Sequence, residues 1–184
     1  MKRFFSLSLA LLAFAPTLVF AHAGHEHALN GFIDGLLHPL TGLDHLAMLL
    51  GLGALGAWQS RPQRIQLYVG SLGILFAGAL LGLISGFETG IEMMILASIF
   101  FIALAIFFSL RGLLPLLAAI VLVMFHGWAH GLEMPAGAIF SFMPGMLIMA
   151  AVLMGVGYLL GRKVEPKQLG VVSAAAAGLI AWFG

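Results

Sequence analysis

Cysteine is absent from the 184-residue chain, which excludes disulfides, thiolate zinc sites, iron–sulfur clusters and cysteine nucleophiles together. A bound metal must then be held by His, Asp, Glu, Met or backbone oxygen, a donor set suited to borderline divalent ions rather than Cu(I). Charge is scarce too: 8% of residues are charged, against about 25% in a typical soluble domain. The net charge of +1 gives a nucleic acid nothing to bind. No phosphate-binding loop of the G-x-x-x-x-G-K-[ST] type occurs, so the chain has no means of its own to hydrolyse ATP.

What is present is apolar. Hydrophobic residues make up 62% of the chain and mean hydropathy is +1.12, as expected of an integral membrane protein. Residues 1–21 read as a signal peptide: Lys2 and Arg3 form a basic start, Phe4 to Phe14 an apolar core, and Val19-Phe20-Ala21 a cleavage region before His22. Residues 22–184 then form a single transmembrane domain, with a His-rich periplasmic start at 22–37. Six apolar spans follow, over 39–58, 66–86, 89–109, 113–131, 137–160 and 168–184. Each approaches the ~20 residues that cross a bilayer, and unpaired backbone groups in lipid require each to be helical. The fold class expected is all-α and polytopic, with about six transmembrane helices in a bacterial inner membrane, and lipid as its surroundings.

Charge orients the spans. After the signal peptide the basic residues are Arg61, Arg64, Arg111, Arg162, Lys163 and Lys167. All fall in the inter-span segments 59–65, 110–112 and 161–167, which the positive-inside rule assigns to the cytoplasm. The topology expected is N-out and C-out. Glycines spaced as Gly78-xxx-Gly82-xxx-Gly86 and Gly157-xxx-Gly161 suit close helix packing. A homo-oligomer is open on this pattern.

This topology puts every histidine toward the outer face. His126, His130 and Glu133, at i, i+4 and i+7, share one face near the outer end of the fourth span. His38, Asp44 and His45 lie at the outer start of the first, where Pro39 is expected to begin the helix and His38 to cap it. Adjacent residues point about 100° apart on a helix, so either Asp44 or His45 ligates while the other orients a ligand from behind. Imidazole and carboxylate are ligands that nickel, cobalt, zinc and copper dications accept, and ionisable groups inside a span are expensive enough to point to function. His22, His25 and His27 form a weaker, tail-like set. Glu88 and Glu92 read as acids at a helix N-terminus. The methionines, among them Met48, Met124, Met134, Met146, Met149 and Met154, read as packing.

With these motifs in view, His38-Pro39-Leu40-Thr41-Gly42-Leu43-Asp44-His45 and Phe125-His126-Gly127-Trp128-Ala129-His130-Gly131-Leu132-Glu133, the chain resembles the HupE/UreJ family of nickel/cobalt permeases over essentially its whole mature length. The resemblance implies uptake of nickel or cobalt, with zinc or copper as the other candidate ions. Relatives commonly carry a histidine in the fifth span where Met154 stands here. Metal transport is the function expected, rather than an enzymatic one. The alternatives are an intramembrane metal-dependent hydrolase, a metal sensor that binds without translocating, and a haem-binding electron carrier using His45 and a span-four histidine.

Overall fold

The computed structural model describes residues 31–134 and 137–183, and among them every regular element is a helix. In chain order these are α1 (Phe32–Thr41), α2 (Leu43–Ala57), α3 (Arg61–Ser85), α4 (Ile91–Phe107), α5 (Leu113–Glu133), α6 (Ile139–Gly161) and α7 (Pro166–Phe183). Helices α3, α5 and α6 are each long and apolar enough to cross a membrane. The pair α1–α2 makes a fourth if its two arms, bent by 85°, count as one span. Helix α4 is shorter, with 17 residues, or about 26 Å at 1.5 Å per residue. The signal peptide and the His22–His27 tail lie outside the described residues.

The first span differs from expectation. Pro39 does not start a helix; it lies inside α1, whose N-cap is Gly31. His38 is in the last turn of that helix rather than at a cap before it. A proline ring crowds the preceding turn and offers no N–H, so the helix survives only two residues beyond it. Thr41 then donates its hydroxyl to the His38 carbonyl at 2.8 Å, satisfying one of the carbonyls that a helix end leaves open. At Gly42 the chain is extended, with φ −96° and ψ 125°, before α2 begins. Asp44 and His45 therefore stand in the first turn of a new helix, not two turns into an old one.

Helix α2 is the most enclosed element: Met48, Leu49, Leu52, Ala54 and Leu55 are at most 2% exposed. It packs chiefly on α6 and also touches α3 and α4, while α1 lies along α6, α3 along α5 and α4 against α7. Glycines make these approaches close. The Gly53 and Gly157 positions meet the Met154 and Leu50 carbonyls, so α2 and α6 touch backbone to backbone. Gly127 and Gly131 of α5 do the same against the Leu75 and Ala79 carbonyls of α3, and Gly78 and Gly82 of α3 answer against Met124 and Trp128. Of the sequence-level glycine series, only Gly86 has another role: with φ 62° it closes α3 in the left-handed region and returns its N–H to the Gly82 carbonyl. Met48, Met134, Met146 and Met154 are buried in the common core, as the packing reading expects. Glu92 is in the first turn of α4, while Glu88 precedes that helix in the exposed loop.

Candidate metal centre

Three helices converge on the break at Gly42. The last turn of α1 brings His38, the first turn of α2 brings Asp44 and His45, and the C-terminal half of α5 brings His126 and His130. His38, His45 and His130 each offer a ring nitrogen, and these atoms lie within 4.8 Å of one another. The ring centroids are 5.1 Å apart for His38–His45, 4.6 Å for His38–His130 and 4.8 Å for His45–His130. Residues 85 positions apart meet directly: Nε2 of His45 is 2.7 Å from Nε2 of His130.

Asp44 sets the chemistry of His45. Its Oδ1 is 2.9 Å from His45 Nδ1, and a carboxylate can only accept, so Nδ1 carries the proton and Nε2 presents a lone pair toward the group. This is the orienting role reserved in the sequence for one of the two neighbours, and it falls to the acid. The break also places charge well. Asp44 is at the N-terminus of α2, where a carboxylate is stabilised, and His38 is at the C-terminus of α1, where a cation is.

Several ring nitrogens around this group keep lone pairs that no described residue takes up. Nε2 of His38, Nε2 of His126 and Nδ1 of His130 are buried without a hydrogen-bond partner. His126 and His130 are 1% and 3% exposed. An unmade hydrogen bond on a buried polar atom costs about 1–3 kcal/mol, and a dication that takes the lone pairs would offset that for several rings at once. Two nitrogens bound at about 2.0–2.1 Å in tetrahedral geometry stand roughly 3.4 Å apart. With the His45 proton on Nδ1, the hydrogen in the 2.7 Å contact belongs to His130 Nε2. For both Nε2 atoms to take one ion, that proton has to move to Nδ1 of His130 and the pair has to open by about 0.7 Å.

The other sequence-level candidates fall differently. His126 meets His45 edge to face with ring centroids 5.6 Å apart, one turn along α5 from His130 and outside the three-histidine group. Glu133, the last residue of α5, is exposed and is not among the three grouped residues. Three further residues were not among the candidate ligands, although Gly42 lies within the first motif. Gly42 is one, since a Cβ there would stand 2.6 Å from both Asp44 Oδ1 and His45 Nδ1. Phe142 of α6 is fully buried, its ring edge-on to His38 at 5.4 Å. Ser98 of α4 is buried beside His126. Outside the two motifs, Ser98 left a trace in the sequence, as the one polar side chain in α4 beyond its first turn, while Phe142 left none.

The space at Gly42 gives a direct test. Gly42→Ala should leave insertion intact yet push the Asp44 and His45 side chains apart, weakening metal binding about 10-fold or more, the usual effect of disturbing a ligand's orienting partner. Isothermal titration of the purified variant against wild type measures it.

The profile of the HupE / UreJ protein family matches residues 9–184 of the chain. A curated relative, Protein HupE of Rhizobium leguminosarum bv. viciae, is 30% identical over 183 residues, an alignment covering 96% of this chain and 93% of that protein. No solved structure matches the chain.

Proposed function

The chain belongs to the HupE/UreJ family, and we propose that it carries a divalent transition metal, nickel or cobalt before zinc or copper, inward across the bacterial inner membrane. Convergence of His38, His45 and His130 from three helices, with buried lone pairs left over, is the observation that supports this most. Asp44 is the orienting acid of that group, and Glu133 and the His22, His25 and His27 tail serve to collect the ion at the mouth.

The topology that suits this reading has six crossings, with α1 and α2 as the two arms of a broken first span and both ends outside. Discontinuous helices are a recurrent way to present helix termini to an ion within a membrane. In this arrangement the histidine group lies toward the outside. The basic residues Arg61, Arg64, Arg111, Arg162, Lys163 and Lys167 flank the opposite ends of the helices, which supports the same orientation. An inside-negative potential favours inward movement by about 2.3 kcal/mol per charge per 100 mV, or about 4.6 kcal/mol for a dication. Three imidazoles, one of them backed by Asp44, leave coordination positions open, and incomplete coordination suits a site that must release its ion. The protein acts as a transporter rather than as an enzyme.

Proteoliposomes loaded with a metal-sensitive dye test the proposal. Wild-type protein should admit Ni²⁺ and Co²⁺ faster than Mg²⁺ and faster still when the lumen is made negative. Equal rates for all dications, or no flux despite tight binding, would sink the carrier reading and favour a sensor.

A further inference from the structure

His126 is the histidine that the three-residue group leaves out, and its environment is built. Ser98 of α4, itself fully buried, has its Oγ 2.6 Å from the Ile95 carbonyl. Two oxygens approach so closely only with a hydrogen between them, and a carbonyl has none to give, so the serine hydroxyl donates there. The same Oγ is 3.4 Å from Nδ1 of His126. With its one hydrogen already committed, Ser98 can only accept, and His126 must donate from Nδ1. The proton is thereby placed on the Ser98 side of the ring, and Nε2 is left as a lone pair, buried and unpartnered.

We propose that Ser98 is a positioning residue that holds His126 in the Nδ1–H form, so that Nε2 of His126 takes the ion from the His38–His45–His130 group. The inference rests on the carrier reading above. Along α5, His126 precedes His130 by four residues, about 6 Å of helix, and in the N-out topology that step leads inward. The rings of His45 and His126 stand edge to face with centroids 5.6 Å apart, so His45 neighbours both stations. The serine is to His126 what Asp44 is to His45: an acceptor behind the ring that decides which nitrogen is free. A neutral acceptor leaves the inner imidazole a weaker donor than the carboxylate-backed one, which suits a station that must pass the ion on.

The test is a double-mutant cycle on full-length protein in detergent, read by Co²⁺ affinity and by the visible ligand-field absorption of bound Co²⁺. Ser98→Ala should weaken the second, weaker cobalt-binding step about 10-fold, the lower end of the effect of losing an orienting partner. It should also shift the absorption band that this step adds, while the first step, on the three-histidine group, is kept. Ser98→Thr, which keeps the acceptor and can make the same bond to the preceding turn, should restore both. In a His126→Ala background, Ser98→Ala should change affinity less than about 2-fold, because the coupling of touching residues vanishes with its partner. The inference is overturned if Ser98→Ala binds as wild type, or if its effect is undiminished without His126; should Ser98→Thr not fold, the cycle alone decides. Failure of the carrier reading looks different: wild-type protein would then bind cobalt yet pass none in proteoliposomes, whatever the cycle shows, whereas a wild-type protein with no cobalt band would overturn both readings.

Discussion

A His130→Ala protein should insert and fold yet lose nickel and cobalt transport by more than about 100-fold. His130 is the hub of the group, within ring-contact distance of His38 and His45 together. Losing an orienting partner costs about 10–100-fold in metal affinity, and losing the ligand itself should exceed that. The substitution also empties a volume in a buried region, so a second variant separates chemistry from folding. His130→Gln fills most of the space and offers an amide, a poor ligand for these ions. If both variants lose transport while their thermal midpoints in detergent stay near wild type, coordination is the cause. Retention of wild-type uptake by His130→Gln would remove the basis of the proposed site. His45→Ala should behave similarly. Asp44→Asn should be milder, since an amide can still accept from Nδ1 of His45 but carries no charge.

The second large effect is expected at glycines that touch no metal. A Cβ at Gly127 would meet the Leu75 carbonyl, and one at Gly131 the Ala79 carbonyl with Leu83 N at 2.8 Å. These are backbone atoms and cannot swing away, so Gly127→Ala or Gly131→Ala must push α3 and α5 apart. Overpacking of this kind costs about 1–3 kcal/mol per site. Because each glycine directly follows a candidate ligand, His126 or His130, the displacement should also lower metal affinity. Gly73→Ala is the control. It lies in the same α3 helix with nothing within 4 Å of its would-be Cβ, and alanine in a helix interior should be neutral or stabilising by about 0.5–1 kcal/mol. Thermal unfolding in detergent, followed by cobalt titration of the surviving protein, reads both effects. Equal midpoints for Gly73→Ala and Gly131→Ala would show that the close helix contact is not real.

Much of the site was legible before any fold was known, and the reason is local. His126 and His130 recur at helical spacing in an apolar run, where a polar residue must earn its place. Asp44 and His45 are adjacent, so one could be assigned in advance to orient the other. The kink between α1 and α2 was misread because Pro39 fits either a helix start or a helix end. Its position alone does not distinguish them; the packing of α1 on α6, with Gly35 against the Phe142 carbonyl and Gly145 against the Phe32 carbonyl, is what makes residues 32–38 helical. That packing turned His38 from a cap into a member of the histidine group. Glu133 shares a helical face with His126 and His130 in principle, but the helix ends there and the carboxylate is exposed.

By itself, the order of residues determined that the described chain is helical and apolar, that any metal must be met without thiolate, and that His126 and His130 share one face near the end of a long apolar helix. Those properties follow from composition and from periods of a few residues. Only the tertiary structure decided that His45 and His130, 85 positions apart, stand 2.7 Å from each other, that His38 joins them, and that Ser98 backs His126. Contacts between distant segments depend on how closely helices approach and how each is rotated about its axis, and no local spacing encodes either.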